Sequence, residues 1–214
     1  MPSFVSINNA LSHSGYNKIM INRINNTIIK QHPMVKLDLN ALAKGYGVDI
    51  IFKFIKEMGV ENLFIEIGGE VRTSGKNKTK NLWSIGIENP LGGQKKDIDF
   101  AAIVHLENEA IATSGNYRNI VNIDGEAIGH TINPKTGFPI QTNVLSVTVF
   151  SRMSMISDAW ATALMVMDYK TGLDYVNRFN DIEAIWIIEE DNGTRMIGCS
   201  NGAKMIDNIY EIKS

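Results

Sequence analysis

A carboxylate, a cation and several very small residues lie close together in the segment LDLNALAKGYGVD, residues 37–49. Asp38 supplies the carboxylate and Lys44 the ammonium group. Gly45 and Gly47 lie among strong helix formers, although each interior glycine costs roughly 1 kcal/mol relative to alanine. Two explanations are open: tight packing of a helix against a sheet, or close approach of a phosphate, which helix N-terminal amides and a lysine would bind. The glycines alone favour packing.

A second candidate site lies in the segment SDAWATALMVM, which begins at Ser157. Ser157 is predicted to be a helix N-cap, or Asp158 to lie in the first turn. Asp158 and Thr162 are four residues apart and therefore share one helix face. This pair suits Mg²⁺, which takes only one or two carboxylates and completes its shell with water and phosphate oxygens. The alternative is a helix cap beside a packed threonine, and the spacing alone favours that alternative.

Two loop segments hold further candidates. His130, in GHTINPKTGFP, lies on a predicted loop, and because histidine titrates near neutrality it suits acid–base work. The segment SGNYR, residues 114–118, combines a hydroxyl, a flexible turn, an aromatic ring and a guanidinium. That combination suits a phosphate or an aromatic ring system. The alternatives are a structural histidine and an ordinary turn.

The elements that must position these residues are helices and short strands. Apolar residues at helical spacing predict an amphipathic helix from Ala41 to Met58, with Asn40 as its N-cap and Gly59 as its stop signal. The apolar positions of this helix are Leu42, Tyr46, Ile50, Ile51, Phe54, Ile55 and Met58. A short strand is predicted just before it, at residues 34–39.

Strands and turns dominate the rest of the chain. Strands are predicted at residues 18–29 (with a turn at Asn25-Asn26), 63–67, from 71, 82–87, 100–106, 144–150, 184–188 and 194–199, and a helix at 172–179. Residues 111–139 are rich in turn residues and are predicted to form hairpins and functional loop more than core. Helices interrupt runs of strands without strict β–α–β alternation, so the predicted class is α+β, in one domain spanning 1–214.

Composition excludes several classes of protein. The 214 residues are 44% hydrophobic and 21% charged, as in soluble globular proteins, and the net charge of -2 gives no reason to expect nucleic acid as a partner. The single cysteine, Cys199, excludes an internal disulfide. Ile50 occupies the third glycine position of the dinucleotide-binding fingerprint, which excludes that motif. There is no zinc-ligand spacing and no nucleophile elbow.

Taken together and in order, these segments resemble the FAD:protein FMN transferases, the ApbE-type flavin transferases. The resemblance covers nearly everything from about Gly15 to the end of the chain. The matching segments are LDLNALAKGYGVD, IEIGGEVRTSG, WSIGIENP, AIATSGNYR, HTINPKTGFPI and SVTVFSRMSMISDAWATALMVM. The resemblance implies a Mg²⁺-dependent enzyme that binds FAD, breaks its pyrophosphate and transfers FMN to a threonine hydroxyl of an acceptor protein, releasing AMP. Two alternatives are a flavin-nucleotide-binding module without turnover and a Mg²⁺-dependent FAD pyrophosphatase that yields FMN and AMP.

The resemblance also implies roles for individual residues. Contacts to FAD are expected from Asp38, Lys44, Gly68, Gly69, Ser114, Gly115, Tyr117, Arg118 and Ile132. Metal ligands are expected from the main-chain carbonyl of Ala41 and from the side chains of Asp158 and Thr162. The metal motif also includes Ala161, where some members have a second carboxylate. His130 is expected to take the proton of the attacking threonine.

The chain departs from the family pattern at several points. Asn40-Ala41 replaces the usual Gly-Gly, and Asn133 replaces a common aspartate. Family members also have a further N-terminal part with a secretion or lipoprotein signal, so the chain is expected to be the C-terminal portion of the full length. Its own N-terminus, MPSFVSINNALSHSG, lacks the basic and apolar regions of a signal peptide. The expected location is the cell envelope, with membrane attachment only through a missing lipid anchor, or the cytoplasm if the chain is complete.

Overall fold

The structure, a computed structural model, describes residues 2–90, 100–116, 120–123, 126–129, 131–203, 205, 207–208 and 210–212. The helices are α1 (Phe4–Ser12), α2 (Asn40–Glu57), α3 (Ser154–Met165) and α4 (Tyr169–Val176). The strands are β1 (Ile19–Asn22), β2 (Thr27–Lys30), β3 (Leu63–Ile67), β4 (Glu70–Ser74), β5 (Trp83–Glu88), β6 (Phe100–Leu106), β7 (Ala110–Gly115), β8 (Ile120–Ile123), β9 (Glu126–Gly129), β10 (Val144–Ser151), β11 (Ile182–Glu189), β12 (Arg195–Cys199), β13 (Asp207–Asn208) and β14 (Glu211–Ile212). The predicted α+β class is confirmed. None of the helices among these residues is long and apolar enough to cross a membrane.

The chain forms two compact units, and the smaller contains residues 1–39 and 119–141. In it β1 pairs with β2 and β8 with β9, both antiparallel. The strand predicted at 34–39 is absent from this described segment, so that prediction is wrong. The amide of Val35 donates to the carbonyl of His32, and the carbonyl of Val35 accepts from the Lys30 ammonium. These local bonds hold the backbone in a turn.

The larger unit contains residues 40–118 and 142–214, and its centre is a seven-stranded sheet in the order β14-β12-β11-β10-β7-β4-β3. All neighbours are antiparallel except β12 and β14. Helix α3 packs on β7 and β10. The small sheet β13-β6-β5 contributes Ile87, Val104 and Leu106 to one apolar core with the large sheet. Strands β10 and β11 are therefore almost wholly buried, as strands covered on both faces are.

Strand β7 corrects part of the prediction for residues 111–139. Its residues Ala110, Ile111 and Ala112 are buried, and it pairs with both β10 and β4. It is thus a central strand of the core, although it was predicted to be hairpin or loop. The signal was weak because the apolar run is short and leads directly into the turn-forming residues Ser114-Gly115-Asn116.

Helix α2 agrees with the predicted bounds to within one residue, but its buried face is not the one that the apolar spacing indicates. The buried residues are Gly45, Val48, Asp49 and Phe52, which share one face. Most of the large apolar residues are exposed instead: Tyr46 by 53%, Ile50 by 49%, Ile51 by 41%, Phe54 by 63% and Met58 by 68%. The prediction failed because α2 packs against α3 through a glycine and a carboxylate, which apolar periodicity does not detect.

Candidate active site

Asp49, on the buried face of α2, caps helix α3. Its Oδ1 accepts from the Ser154 amide at 3.0 Å and from Nη1 of Arg72 at 2.7 Å, and its Oδ2 accepts from the Met155 amide at 3.0 Å. The first amides of a helix have no partner within it, so an oxygen acceptor here stabilises the start of α3. α3 therefore begins at Ser154. The prediction that Ser157 is its N-cap or that Asp158 lies in its first turn is wrong in both forms.

Gly45 allows the two helices to approach closely. A Cβ at this position would lie only 2.6 Å from the carbonyl carbon of Ser154 and 2.7 Å from the amide nitrogen of Met155. Real Cβ atoms do not approach backbone this closely, so only glycine fits. Packing is therefore the reason for Gly45, as the glycine pattern favoured, but the partner is a helix start and not a sheet. At Gly47 a Cβ would make an ordinary 3.5 Å contact with Ile67.

Asp158 of α3 forms a further hydrogen bond between the two helices, this time to a backbone amide of α2. Its Oδ2 accepts a 3.0 Å hydrogen bond from the buried amide of Gly45. Ala41 lies in the same helix, four positions and about one turn before Gly45. The bond to Gly45 therefore places the Asp158 carboxylate against the first turns of α2, where Ala41 lies. The structure brings together the two stretches that were predicted to share one site.

Lys44 lies beside the turn between β3 and β4. Its ammonium nitrogen is 2.6 Å from Oε1 of Glu70 and 3.5 Å from the Gly68 carbonyl oxygen. Gly68 and Gly69 have φ of 60° and 102°, a backbone region that favours glycine. A Cβ on Gly69 would meet no atom of the described residues within 4 Å, so the backbone of Gly69 faces open space.

Thr162 lies one turn after Asp158 on α3, and its Oγ1 is 3.2 Å from Oγ of Ser114 on β7. A predicted metal ligand and a predicted FAD contact therefore meet here, with Gly115 next in the same strand. Ala161 is fully buried, and its methyl group offers no ligand atom.

Two acids of this region, Asp158 and Glu70, lie in surroundings that disfavour their charged forms. Burial raises the pKa of Asp158 despite the Gly45 amide and the Lys44 charge, and burial likewise raises the pKa of Glu70. Oε2 of Glu70 is buried without a hydrogen-bond partner among the described residues. The residues fit magnesium, because Asp158, Thr162 and the Ala41 carbonyl all offer oxygen ligands. Within the same described part of the chain, no cluster of three His, Cys, Asp or Glu side chains could hold a metal.

Five of the predicted site residues cannot be added to this arrangement. Asp38 and Ile132 belong to the smaller unit, where Ile132 forms an isolated β-bridge with Pro139. His130, Tyr117 and Arg118 lie outside the residues that the structure describes. Their roles stay predictions.

Three residues of the site were not found from the sequence: Asp49, Arg72 and Glu70. Asp49 follows Gly45 by four positions, so the spacing already placed a carboxylate on the face of the close-packing glycine. Glu70 directly follows the Gly-Gly turn, but its pairing with Lys44 joins positions that are 26 residues apart. No local pattern indicates that pairing.

Known proteins with the same architecture were identified by sequence and by structure. A family model described as the ApbE family matches residues 1–186. The FAD:protein FMN transferase of Vibrio cholerae is 39% identical over 176 residues, which cover 82% of this chain and 52% of that protein. The enzyme of the same name from Haemophilus influenzae is 36% identical over 181 residues, covering 84% and 51%.

Solved structures give the same result. The flavin transferase ApbE from Vibrio cholerae superposes with a TM-score of 0.80 at 34% identity, covering 94% of this chain and 62% of that one. The apo form of the Pseudomonas stutzeri flavinyl transferase ApbE gives a TM-score of 0.80 at 31% identity, covering 94% and 60%. The chain spans about half the length of the curated relatives it matches. Because the family model matches most of its residues, the chain belongs to the ApbE family.

Proposed function

We propose that this chain takes part in the Mg²⁺-dependent transfer of FMN from FAD to a threonine hydroxyl of an acceptor protein, with release of AMP. The names of the relatives support FAD as substrate and a protein as acceptor. The observation that carries the proposal is the hydrogen bond from the Gly45 amide to Asp158, which joins the two helices expected to share the metal.

The described residues suit a pyrophosphate substrate. Lys44 lies beside the open Gly68-Gly69 turn, where its ammonium group can pair with a phosphate oxygen. Asp158, Thr162 and the Ala41 carbonyl would hold Mg²⁺, which when bound reduces the negative charge that an attacking oxygen must approach. The small residues of the turn let the backbone approach the nucleotide closely.

The proposed reaction replaces one phosphorus–oxygen bond by another. The threonine oxygen attacks the phosphorus of the FMN half, the bond to the AMP phosphate breaks, and AMP leaves with that bridging oxygen. The threonine proton passes to a base, for which we propose His130. Asp38, Ile132 and the segment from Ser114 to Arg118 are proposed to bind the rest of FAD.

Mass spectrometry of an acceptor protein tests the proposal. The chain is incubated with FAD, Mg²⁺ and an acceptor domain, with the Vibrio cholerae relative as positive control and an acceptor whose threonine is replaced by valine as negative control. An FMN adduct on the threonine is expected. Absence of the adduct where the relative produces it would contradict the proposal for this chain.

Two further measurements separate the alternatives. Release of AMP and free FMN without an acceptor would identify a pyrophosphatase, and FAD binding without AMP release would identify a binding module. The variant His130→Ala should retain FAD binding and transfer FMN more slowly. Transfer at the normal rate would exclude His130 as the base.

We also propose that the whole chain is one ApbE-like domain located in the cell envelope. The family match over residues 1–186 supports the first point, and the family resemblance of the sequence motifs is the ground for the second. Fractionation of cells that express the natural gene, followed by detection of the protein in each fraction, tests the location.

A further inference from the structure

Glu70 is a buried acid for which the proposed reaction has no role. It is 2% exposed, and its Oε1 forms a 2.6 Å ion pair with the Lys44 ammonium. Oε2 has no hydrogen-bond partner in the described part of the chain. A buried acceptor without a partner is costly, so the position of this acid calls for an explanation.

The explanation begins with the position of Lys44 between two acids. Lys44 precedes Gly45, whose amide is bonded to Asp158, and the Lys44 charge acts on Asp158 as well as on Glu70. The lysine side chain is half exposed and has a flexible four-carbon stem. Without Glu70, the flexible ammonium could turn towards Asp158, on which its charge already acts.

An ammonium bonded to Asp158 would weaken a metal site. Asp158 is the one carboxylate in the proposed ligand set, beside a hydroxyl and a carbonyl. A lysine on its oxygens would occupy the position of the divalent cation and cancel the charge that attracts it. The contact between Lys44 and Glu70 prevents this competition and also holds the ammonium near the Gly68 carbonyl.

We propose that Glu70 is a positioning residue that holds the Lys44 ammonium away from Asp158, so that the Asp158 carboxylate stays available to the divalent cation. This inference rests on the proposed function, since it assumes that Asp158 binds the metal. It assigns Glu70 an effect on metal affinity that is exerted through Lys44.

Binding of Mn²⁺, followed by the electron paramagnetic resonance of the free ion without FAD or acceptor, tests the inference. Glu70→Gln should weaken Mn²⁺ binding by about tenfold, the low end for the loss of a partner outside the metal's own ligands. The double variant Glu70→Gln/Lys44→Met should bind within about twofold of the wild type, because the competing ammonium is gone. Lys44→Met alone should bind Mn²⁺ at least as tightly as the wild type.

The outcomes separate this inference from the proposed function. Wild-type affinity in Glu70→Gln, continued weak binding in the double variant, or weaker binding in Lys44→Met would each overturn the role of Glu70. If Asp158→Asn binds Mn²⁺ as the wild type does, the proposed metal site itself fails. Glu57→Gln, which removes one exposed acid at the end of α2, is the charge-matched control and should leave Mn²⁺ binding unchanged. Circular dichroism of each variant checks the fold, and Lys44→Met tests the inference even if Glu70→Gln does not fold.

Discussion

Gly45 and Gly47 lie two positions apart in one helix but differ in what surrounds them. At Gly45 a side chain would overlap the backbone of Ser154 and Met155, whereas at Gly47 it would make only a normal contact with Ile67. Helical glycine is costly at both positions because it adds entropy to the unfolded chain. Only at Gly45 does the structure require it.

Substitution of the two glycines by alanine should therefore have opposite effects. Gly45→Ala should lower the free energy of unfolding by about 2–3 kcal/mol, because α3 must move away from α2. Gly47→Ala should raise it by about 0.5–1 kcal/mol through helix propensity. Urea denaturation of both variants measures the difference. If both variants change the free energy of unfolding by the same amount, α3 can move away from α2 at little cost.

Cys199 should be an unreactive thiol. It lies half-buried in β12, and desolvation raises its pKa to about 11 from 9.0. The folded chain keeps the proton through the window from about pH 9 to about pH 11, whereas the unfolded chain loses it, so stability should fall as the pH rises through that window. At pH 9, we expect iodoacetamide to label the native protein at least roughly tenfold more slowly than the urea-unfolded chain, since the thiolate is the nucleophile. Equal rates would mean that the thiol is not desolvated.

At the scale of elements, α2 and α3 are joined by reciprocal hydrogen bonds: each helix has a carboxylate that accepts from backbone amides of the other. We call this the reciprocal exchange between the two helices. Asp49 of α2 binds the first amides of α3, and Asp158 of α3 binds an amide of α2. Arg72 of β4 neutralises Asp49 and also lies 4.2 Å from the ring centroid of Phe52. The position and orientation of α3 depend on these bonds. The positions of Asp158 and Thr162 depend on them as well, because both residues lie in α3.

Removal of Asp49 should be strongly destabilising. Asp49→Ala should cost about 3 kcal/mol, because it leaves the partly buried Arg72 charge without its partner and α3 without its cap. Asp49→Asn should cost less, since asparagine is also a good N-cap. Thermal or urea unfolding measures these differences. Lys53→Ala, which breaks a 3.9 Å pair with Glu57 between two exposed side chains, is the control and should change stability by less than about 0.5 kcal/mol. A similar loss in the control would contradict the importance of the cap.

Elements with strong local signals could be predicted from the sequence. Strands β3 and β6 match their predicted bounds, and Gly59, with φ of 84°, follows the end of α2. The start of α3 was missed because its cap comes from another helix, 105 residues earlier in the chain. The buried face of α2 was missed because it consists of a glycine, a valine, an aspartate and a phenylalanine, whereas apolar periodicity detects only the large apolar residues.

For the whole molecule, the pairing of the Asp38–Lys44 and Asp158–Thr162 segments came from the ordered motifs of a family resemblance and not from physical patterns. Each segment alone was better explained by packing or capping, and the structure shows that Gly45 does serve packing. The same contact brings Asp158 to α2. The contact between α2 and α3 therefore explains why position 45 is a glycine. It also explains why Asp158 lies next to α2, as the proposed metal site requires.

Divalent metal should stabilise the whole fold if it binds between α2 and α3. A ligand that binds only the folded state adds stability that grows with the logarithm of its concentration, about 1.4 kcal/mol at ten times its dissociation constant. Mg²⁺ should therefore raise the midpoint of thermal unfolding of the wild type and leave that of Asp158→Asn unchanged. Calorimetry over a series of Mg²⁺ concentrations checks this. An equal rise in both proteins would indicate binding elsewhere.

The reciprocal exchange between α2 and α3 also has a consequence for the order of folding. Its bonds join residues 105 to 113 positions apart, so they form only after the intervening strands have been brought together. Contacts between such distant positions slow folding. Closing the loop between them costs conformational entropy, and this cost is offset only when all the bonds of the contact have formed. The amides of Gly45 and Ser154 should therefore exchange their hydrogens at one common rate, which is set by global opening and not by fraying of either helix. Hydrogen exchange with mass spectrometry would measure both rates, and distinct rates would show that half of the candidate site can exist without the other.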